Sequence, residues 1–304
     1  MIEIPEENAK RFFDFIKERH AIYIRRKRGD PWPWTNDPIL QAYKFTNIFR
    51  ELDTGTVHCR KAIREPYANH HELFFNIATY RLYNYTETQK EIGYIIRYNP
   101  DDAMALMYAR RKRKERVFTG AHMITGTLGG DKVWQVFGLC FTQLWNNRRK
   151  LEPQPGDTLE TAFKRLAGHN PGYGAFIAYE VITDLRHTRY LEDAVDIYTW
   201  ANAGPGAMRG INRLLGNPVY NSKKEFWGKP KDTSNYPKKE EYIEYMRRLL
   251  AMSEASKYLP GWMPALEMRD IEHSLCEWDK HERTRTGQGK PRSRFVPPHL
   301  RMQV

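Results

Sequence analysis

Apolar residues recur every three or four positions along most of this chain and almost never alternate with polar ones, which predicts helices and essentially no sheet. Phe12, Phe15, Ile16, Ile22 and Tyr23 form one face of an opening amphipathic helix. It ends in the basic run Arg25-Arg26-Lys27-Arg28-Gly29-Asp30, before the turn Pro31-Trp32-Pro33-Trp34. Asp37-Pro38 reads as an N-cap followed by proline in the first turn of a second helix, with Phe45, Ile48, Phe49 and Leu52 as its apolar stripe and Asn47, Arg50 and Thr54 on the other side. Further helices are predicted over 103–115, 131–145 (buried, with Val133, Trp134, Val136, Phe137, Phe141 and Leu144), 158–167, 175–184, 193–202, 209–215, 238–252 and 264–282. Residues 217–237 read as a long loop, and 283–304 as a basic, proline-rich extended arm. The expectation is an all-α fold: one helical domain over 1–282, its two lobes around a cleft, followed by the arm.

Length and charge sharpen this picture. A chain of 304 residues with 40% hydrophobic and 13% aromatic content can bury a sizeable core. Its 49 Lys and Arg against 37 Asp and Glu give a formal charge of +12, which favours a polyanionic partner such as DNA. Cys59, Cys140 and Cys276 are scattered, without disulfide or zinc spacing, and neither His70-His71 nor His58-Cys59 has metal-ligand spacing. No segment approaches the ~18 apolar residues of a membrane span, and the acidic N-terminus lacks a signal core, so the expectation is a cytoplasmic protein with no membrane partner.

Three constellations carry candidate chemistry. In Asn170-Pro171-Gly172-Tyr173-Gly174, within a hairpin over 164–184, two glycines flank an aromatic residue just before a helix. Gly172, Tyr173 and Gly174 can turn the backbone tightly and aim N–H groups and a helix dipole at a DNA phosphate, although a plain joint between helices would read the same. Gly204-Pro205-Gly206, followed by Arg209, is either an anion nest at a helix start or an ordinary turn. On 264–282, Met268, Ile271, Leu275 and Trp278 form a buried stripe, with Arg269, His273, Cys276, Glu277 and Lys280 opposite. His273, Glu277 and Lys280 could offer a base and a cation to one substrate, or be a solvated face of paired charges. Gly126-Thr127-Leu128-Gly129-Gly130-Asp131-Lys132 lacks the order GxxxxGK[ST] and is not read as a nucleotide phosphate loop.

The hairpin resembles that of helix-hairpin-helix DNA glycosylases, in which an essential Asp follows roughly twenty residues after the second glycine. Asp196, in Ala194-Val195-Asp196-Ile197-Tyr198, has that place; Asp193 and Asp184 compete, Asp184 reading as an exposed helix end. Ala175 and Phe176 follow Gly174 where lyase-type members carry a lysine, and there is no terminal Cys cluster. More narrowly, Trp34-Thr35-Asn36-Asp37-Pro38-Ile39-Leu40, Phe45–Asp53, Phe176–Glu180, Ala201–Gly210 and Ile271–Glu277 resemble the α-glutamyl/putrescinyl thymine pyrophosphorylases (amino acid:DNA transferases) and the helical domain attached to 5-hydroxymethyluracil DNA kinases. The likeness runs from about Phe12 to Phe295.

That resemblance implies hypermodification of a thymine-derived base, flipped out of duplex phage-type DNA. A kinase first pyrophosphorylates 5-hydroxymethyluracil; the transferase then displaces pyrophosphate with an amino acid or polyamine. Lacking a phosphate-loop motif, the chain is expected to be the transfer component, paired functionally with the DNA base kinase. Asp196, His273 or Glu277 would serve as general base. Arg50, Arg209 and Lys280 would meet the leaving pyrophosphate, with Gly204 and Gly206 beside it, and Asn47 or Asn202 would pair with the uracil edge. No cofactor is assigned, Mg2+ being the ion that could accompany the pyrophosphate. The rival readings are a glycosylase in which Asp196 stabilises an oxocarbenium-like transition state, and a non-catalytic DNA-binding partner of the kinase.

Overall fold

A computed structural model describes residues 3–120, 130–219, 233–255 and 257–298. Residues 126–129 of the glycine-rich run, 220–232 of the long loop and 299–304 of the arm therefore lie outside the described residues. In chain order the helices are α1 (Glu6–Arg28), α2 (Pro38–Ala42), α3 (Thr54–Cys59), α4 (Leu73–Tyr83), α5 (Thr86–Ile92), α6 (Pro100–Lys112), α7 (Phe141–Leu151), α8 (Leu159–Leu166), α9 (Ala175–Leu185), α10 (Pro205–Leu214), α11 (Glu241–Ser253) and α12 (Met268–Arg285). Among the described residues the single β feature is an isolated bridge between Tyr43 and Arg294. The all-α expectation holds.

The described residues belong to two compact units. The terminal unit is formed by Met1–Arg50 and Ile197–Val304, the middle unit by Glu51–Asp196. In the terminal unit, Phe12, Ile16, Ile211, Ile271, Leu275 and Trp278 are buried. Here α10 lies flush on α12. A Cβ on Gly206 would meet Cys276 Sγ at 2.3 Å, and one on Gly210 would meet the Leu275 carbonyl oxygen at 2.6 Å. Glycines four apart share a helix face, so together they let two backbones approach as no larger side chain would. Beyond α12, the chain pairs with residues 42–44: Lys44 N–H donates to Ser293 O, and Phe295 N–H donates to Ala42 O. Phe295 packs beside Trp32 and Trp34.

In the middle unit α4 packs against α9 and α7. Every residue of α4 is buried, including Asn76 and Arg81. Arg81 Nη2 donates to Asp184 Oδ1 at 2.7 Å, Arg81 Nε donates to Oδ2, and Arg64 Nη1 donates to the Asp184 carbonyl at 3.2 Å. Asp184 is thus a buried anion held by two arginines and not an exposed helix end. Burial alone would raise its pKa, but the two guanidinium groups outweigh it and hold the carboxyl below the ordinary range.

Three helix expectations are corrected. Helix α2 stops at Ala42, because the backbone of 42–44 pairs with 293–295; Phe45–Phe49 are non-helical, and Arg50–Leu52 form one 3₁₀ turn. Residues 193–202 form turns and irregular chain with no helix. The carbonyl oxygens of Ile197 and Thr199 accept from Met268 N–H and Arg247 Nε and so do not build a helical ladder. The helix expected over 131–145 enters through a π-helical stretch, Trp134–Cys140, before α7, and Trp134 is exposed. A π turn rotates each side chain away from its α-helical direction, which places Trp134 outward.

Candidate functional site

Helix α12 carries polar side chains on two sides, and the two sides meet different neighbours. Steps of 100° place 273, 277 and 280 on one side and 272, 276 and 279 next to it. The segment Lys44–Arg50 lies over the first side. Thr46 N–H donates to Glu277 Oε2 at 2.9 Å, and Lys280 Nζ donates to the same oxygen at 2.6 Å and to Lys44 O at 3.1 Å. The Lys280 ammonium also sits 4.4 Å from the centre of the Phe45 ring. His273 bridges two residues of this segment, with Nε2 against Thr46 Oγ1 and Nδ1 against Arg50 Nη1 at 3.3 Å. A guanidinium can only donate, so Nδ1 accepts and a neutral imidazole carries its proton on Nε2, directed at the Thr46 hydroxyl. Asn47 is held from α1: Arg19 Nη2 donates to Asn47 Oδ1 at 2.9 Å and to Phe45 O at 3.0 Å.

The second side faces the start of α10. Glu272 Oε1 accepts from Gly204 N–H at 3.3 Å, so a carboxylate of the chain itself meets the helix N-terminus read as an anion nest. Gly206 is the buried contact with Cys276 described above. Arg209 Nε donates to Asp279 Oδ2 at 2.8 Å, and Arg213 Nε to Oδ1 at 2.7 Å. Asn202 is half-buried in the turn that leads into α10.

The remaining sequence-predicted residues lie in the middle unit. Tyr173 is buried, its hydroxyl without a hydrogen-bond partner, and burial raises its pKa. Its ring therefore serves the core, and only the backbone of the hairpin is left for a phosphate. Gly172 has φ +85°, and a Cβ there would meet Leu82 Cδ2 at 2.9 Å. Gly174 is the extended N-cap of α9, has no side-chain capping bond and leaves open space around a Cβ. Phe176, in the first turn of α9, is exposed. Asp196 is buried, with Oδ1 accepting from Leu159 N–H at 2.7 Å and Oδ2 from Glu160 N–H at 3.0 Å. It binds the first-turn N–H groups of α8 from outside that helix.

Of the predicted site residues, the structure thus gathers His273, Glu277, Lys280, Arg50 and Asn47 around one segment. It places Gly204, Gly206 and Arg209 on the next side of α12, and Asp196 with the hairpin in the middle unit. Sequence reading missed Thr46, Arg19 and Glu272; Thr46 lay in plain view beside Asn47, but nothing in its spacing pointed to α12. A groove lined by Tyr198, Arg247, Leu250, Glu254, Met263 and Leu266 includes none of the predicted residues. Among the described residues no group of three or more His, Cys, Asp or Glu is arranged to hold a metal ion, and no helix is long and apolar enough to cross a membrane.

Residues 6–290 match the family described as "5-hmdU DNA kinase, helical domain". The chain belongs to that family. The chain is also similar to a "5-hmdU DNA kinase" of Bacillus phage SP10, 28% identical over 234 residues, which are 68% of this chain and 36% of the phage protein. The chain therefore spans little more than a third of that relative's length. No solved structure matches. The match of this helical-domain chain covers both units, so the α12 cluster and the hairpin both fall within the family region.

Proposed function

We propose that this protein acts in the hypermodification of thymine-derived bases in phage DNA, replacing the pyrophosphate of a 5-pyrophosphoryloxymethyluracil with an amine. The observation that carries the reading is the cluster on α12, where the cations Arg50 and Lys280 stand with an imidazole and a carboxylate inside a helical domain of DNA base-modifying kinases. Duplex DNA is the substrate, gripped through its backbone by the hairpin at Gly172–Gly174 in the manner of helix-hairpin-helix glycosylases. A DNA base kinase supplies the pyrophosphorylated base.

In the proposed reaction the lone pair of a neutral amine attacks the exocyclic methylene carbon. The C–O bond breaks and its electron pair leaves with pyrophosphate. Arg50 and Lys280 stabilise the charge that develops on the departing oxygens. Drawing Arg50 toward pyrophosphate frees His273 Nδ1, which takes the proton lost by the amine. Asn47, fixed by Arg19, faces the base edge. Mg2+, if used, would supply further neutralisation of the departing pyrophosphate charge. The glycosylase reading draws no support from Asp196, whose two oxygens accept from the Leu159 and Glu160 N–H groups at the start of α8.

The deciding assay incubates the protein with duplex DNA carrying the pyrophosphorylated base and a mixture of amino acids and polyamines, followed by nucleoside mass analysis. A new amino-modified nucleoside with released pyrophosphate is expected. Abasic sites, or unmodified DNA bound without product in the presence of every amine, would overturn the reading.

A further inference from the structure

Near the α12 cluster, the terminal unit carries a set of aromatic rings whose arrangement the reaction scheme does not use. The His20 imidazole is parallel to the Trp262 indole within 15° and to the Tyr23 ring within 14°, each at a centroid separation of 6.0 Å, and Phe49 meets it edge-on at 4.9 Å. Aromatic pairs prefer offset stacks with centroids about 4.5–7 Å apart, so at 6.0 Å His20 is displaced sideways on Trp262. By contrast, Tyr67 and Tyr94 close fully, at 3.6 Å. His20 therefore covers only part of the indole, and Trp262 is 55% exposed.

The second observation is polar. His20 is only 4% exposed, and its buried Nδ1 has no hydrogen-bond partner. Buried polar atoms are nearly always paired, so an unmet one on a ring stacked with a half-exposed indole calls for a partner that the described residues do not supply. Burial and then the charge of Arg19 hold the imidazole below its ordinary pKa, which keeps it neutral and able to accept a hydrogen bond. The next residues along the chain are those of the site: Arg19 precedes His20, and Asn47 lies two positions before Phe49.

We propose that Trp262 is the stacking platform for the extruded pyrimidine, which lies on the part of the indole that His20 leaves uncovered and presents its N3–H, in the plane of the imidazole, to His20 Nδ1. This deepens the DNA-base reading above and rests on it. Stacking on an aromatic side chain accepts any base, whereas the in-plane bond to His20 selects a base with an N–H on that edge.

The test uses duplexes with one 5-iodouracil opposite an abasic analogue, which favours extrusion, irradiated in complex with the full chain. The expected crosslink is at Trp262. Trp262→Ala should weaken binding of this duplex roughly 5- to 100-fold, as loss of one base stack does, with binding of a fully paired duplex unchanged, and Trp262→Phe should restore most of it. His20→Phe should lose the preference for uracil over N3-methyluracil. A crosslink at another residue, or wild-type affinity in Trp262→Ala, would overturn the platform. The two readings separate cleanly. Normal amine transfer by Trp262→Ala refutes the platform alone, whereas a Trp262 crosslink without any transfer activity refutes the amine-transfer reading alone.

Discussion

Asp184→Asn is the substitution for which the middle unit gives the clearest magnitude. The wild-type carboxylate accepts two bonds from Arg81 and lies 3.8 Å from Arg64 Nη1, with both arginines and the aspartate buried. The amide keeps the shape but removes the charge, leaving two guanidinium groups to Glu51 and to Glu180, which is 3.6 Å from Arg81. Breaking a buried pair costs about 3–5 kcal/mol, and the remaining carboxylates place this case at the lower end. For a unit of this size that corresponds to a fall in melting temperature on the order of 10 °C. Thermal unfolding followed by circular dichroism measures it. The pH dependence gives a second readout. Asp184 has a lowered folded-state pKa, so its contribution is fully present above the ordinary carboxylate value and is lost as pH falls through the folded value. The variant should therefore lose less stability on acidification than the wild type. A melting temperature within about 1 °C of wild type, with an unchanged acid limb, would refute the view that this network fastens α9 to α4.

Other expectations are shorter to state. Gly174→Asp places a carboxylate at the uncapped start of α9, so stability should rise by roughly a few tenths of a kcal/mol while DNA affinity and its salt slope fall; unchanged DNA binding would make the hairpin a plain joint. Arg50→Met should lower the rate of amine transfer about 100- to 1,000-fold, as loss of one charge-stabilising donor does, and single-turnover pyrophosphate release checks it. Asp196→Ala should cost about 1–3 kcal/mol by leaving the Leu159 and Glu160 N–H groups without their carboxylate partner, read by urea unfolding. Burial works against a charged His281, but Asp37 and Glu282 outweigh it and raise its pKa. Its stabilising contribution is full below the ordinary histidine value and disappears as pH rises through the folded value, so His281→Gln should flatten the stability profile above pH ~6.5. Glu282, held down at about 2 against its burial by His281, Arg285 and Arg11, keeps its contribution until far lower pH.

The amphipathic helices were legible because one side of each meets water: the stripes of α1 and α12 stand in the sequence much as they pack. Helix α4 was invisible for the opposite reason. Buried on every side, Leu73–Tyr83 has no polar face to set the period, and its Arg81 reads as a surface charge until Asp184 is found opposite. The segment after α2 misled because its apolar spacing is helical, while its backbone partners, 293–295, come from more than two hundred residues away. The same distance hid the site. His273, Glu277 and Lys280 could be grouped by periodicity, but that Thr46 and Arg50 complete their hydrogen bonds is a tertiary fact. Asp196 had the right interval from the hairpin, yet interval says nothing of which atoms its oxygens meet.

Helix α12 divides its labour by a single residue step. The side bearing Cys276 and Leu275 is locked by the backbone contact with Gly206 and Gly210, so neither helix can roll or slide without a clash. His273 and Lys280, one step around, take no part in that lock. Substituting those two residues therefore leaves the mount that holds them in register. The fixed side of the helix is what leaves the side of the proposed reaction free to change.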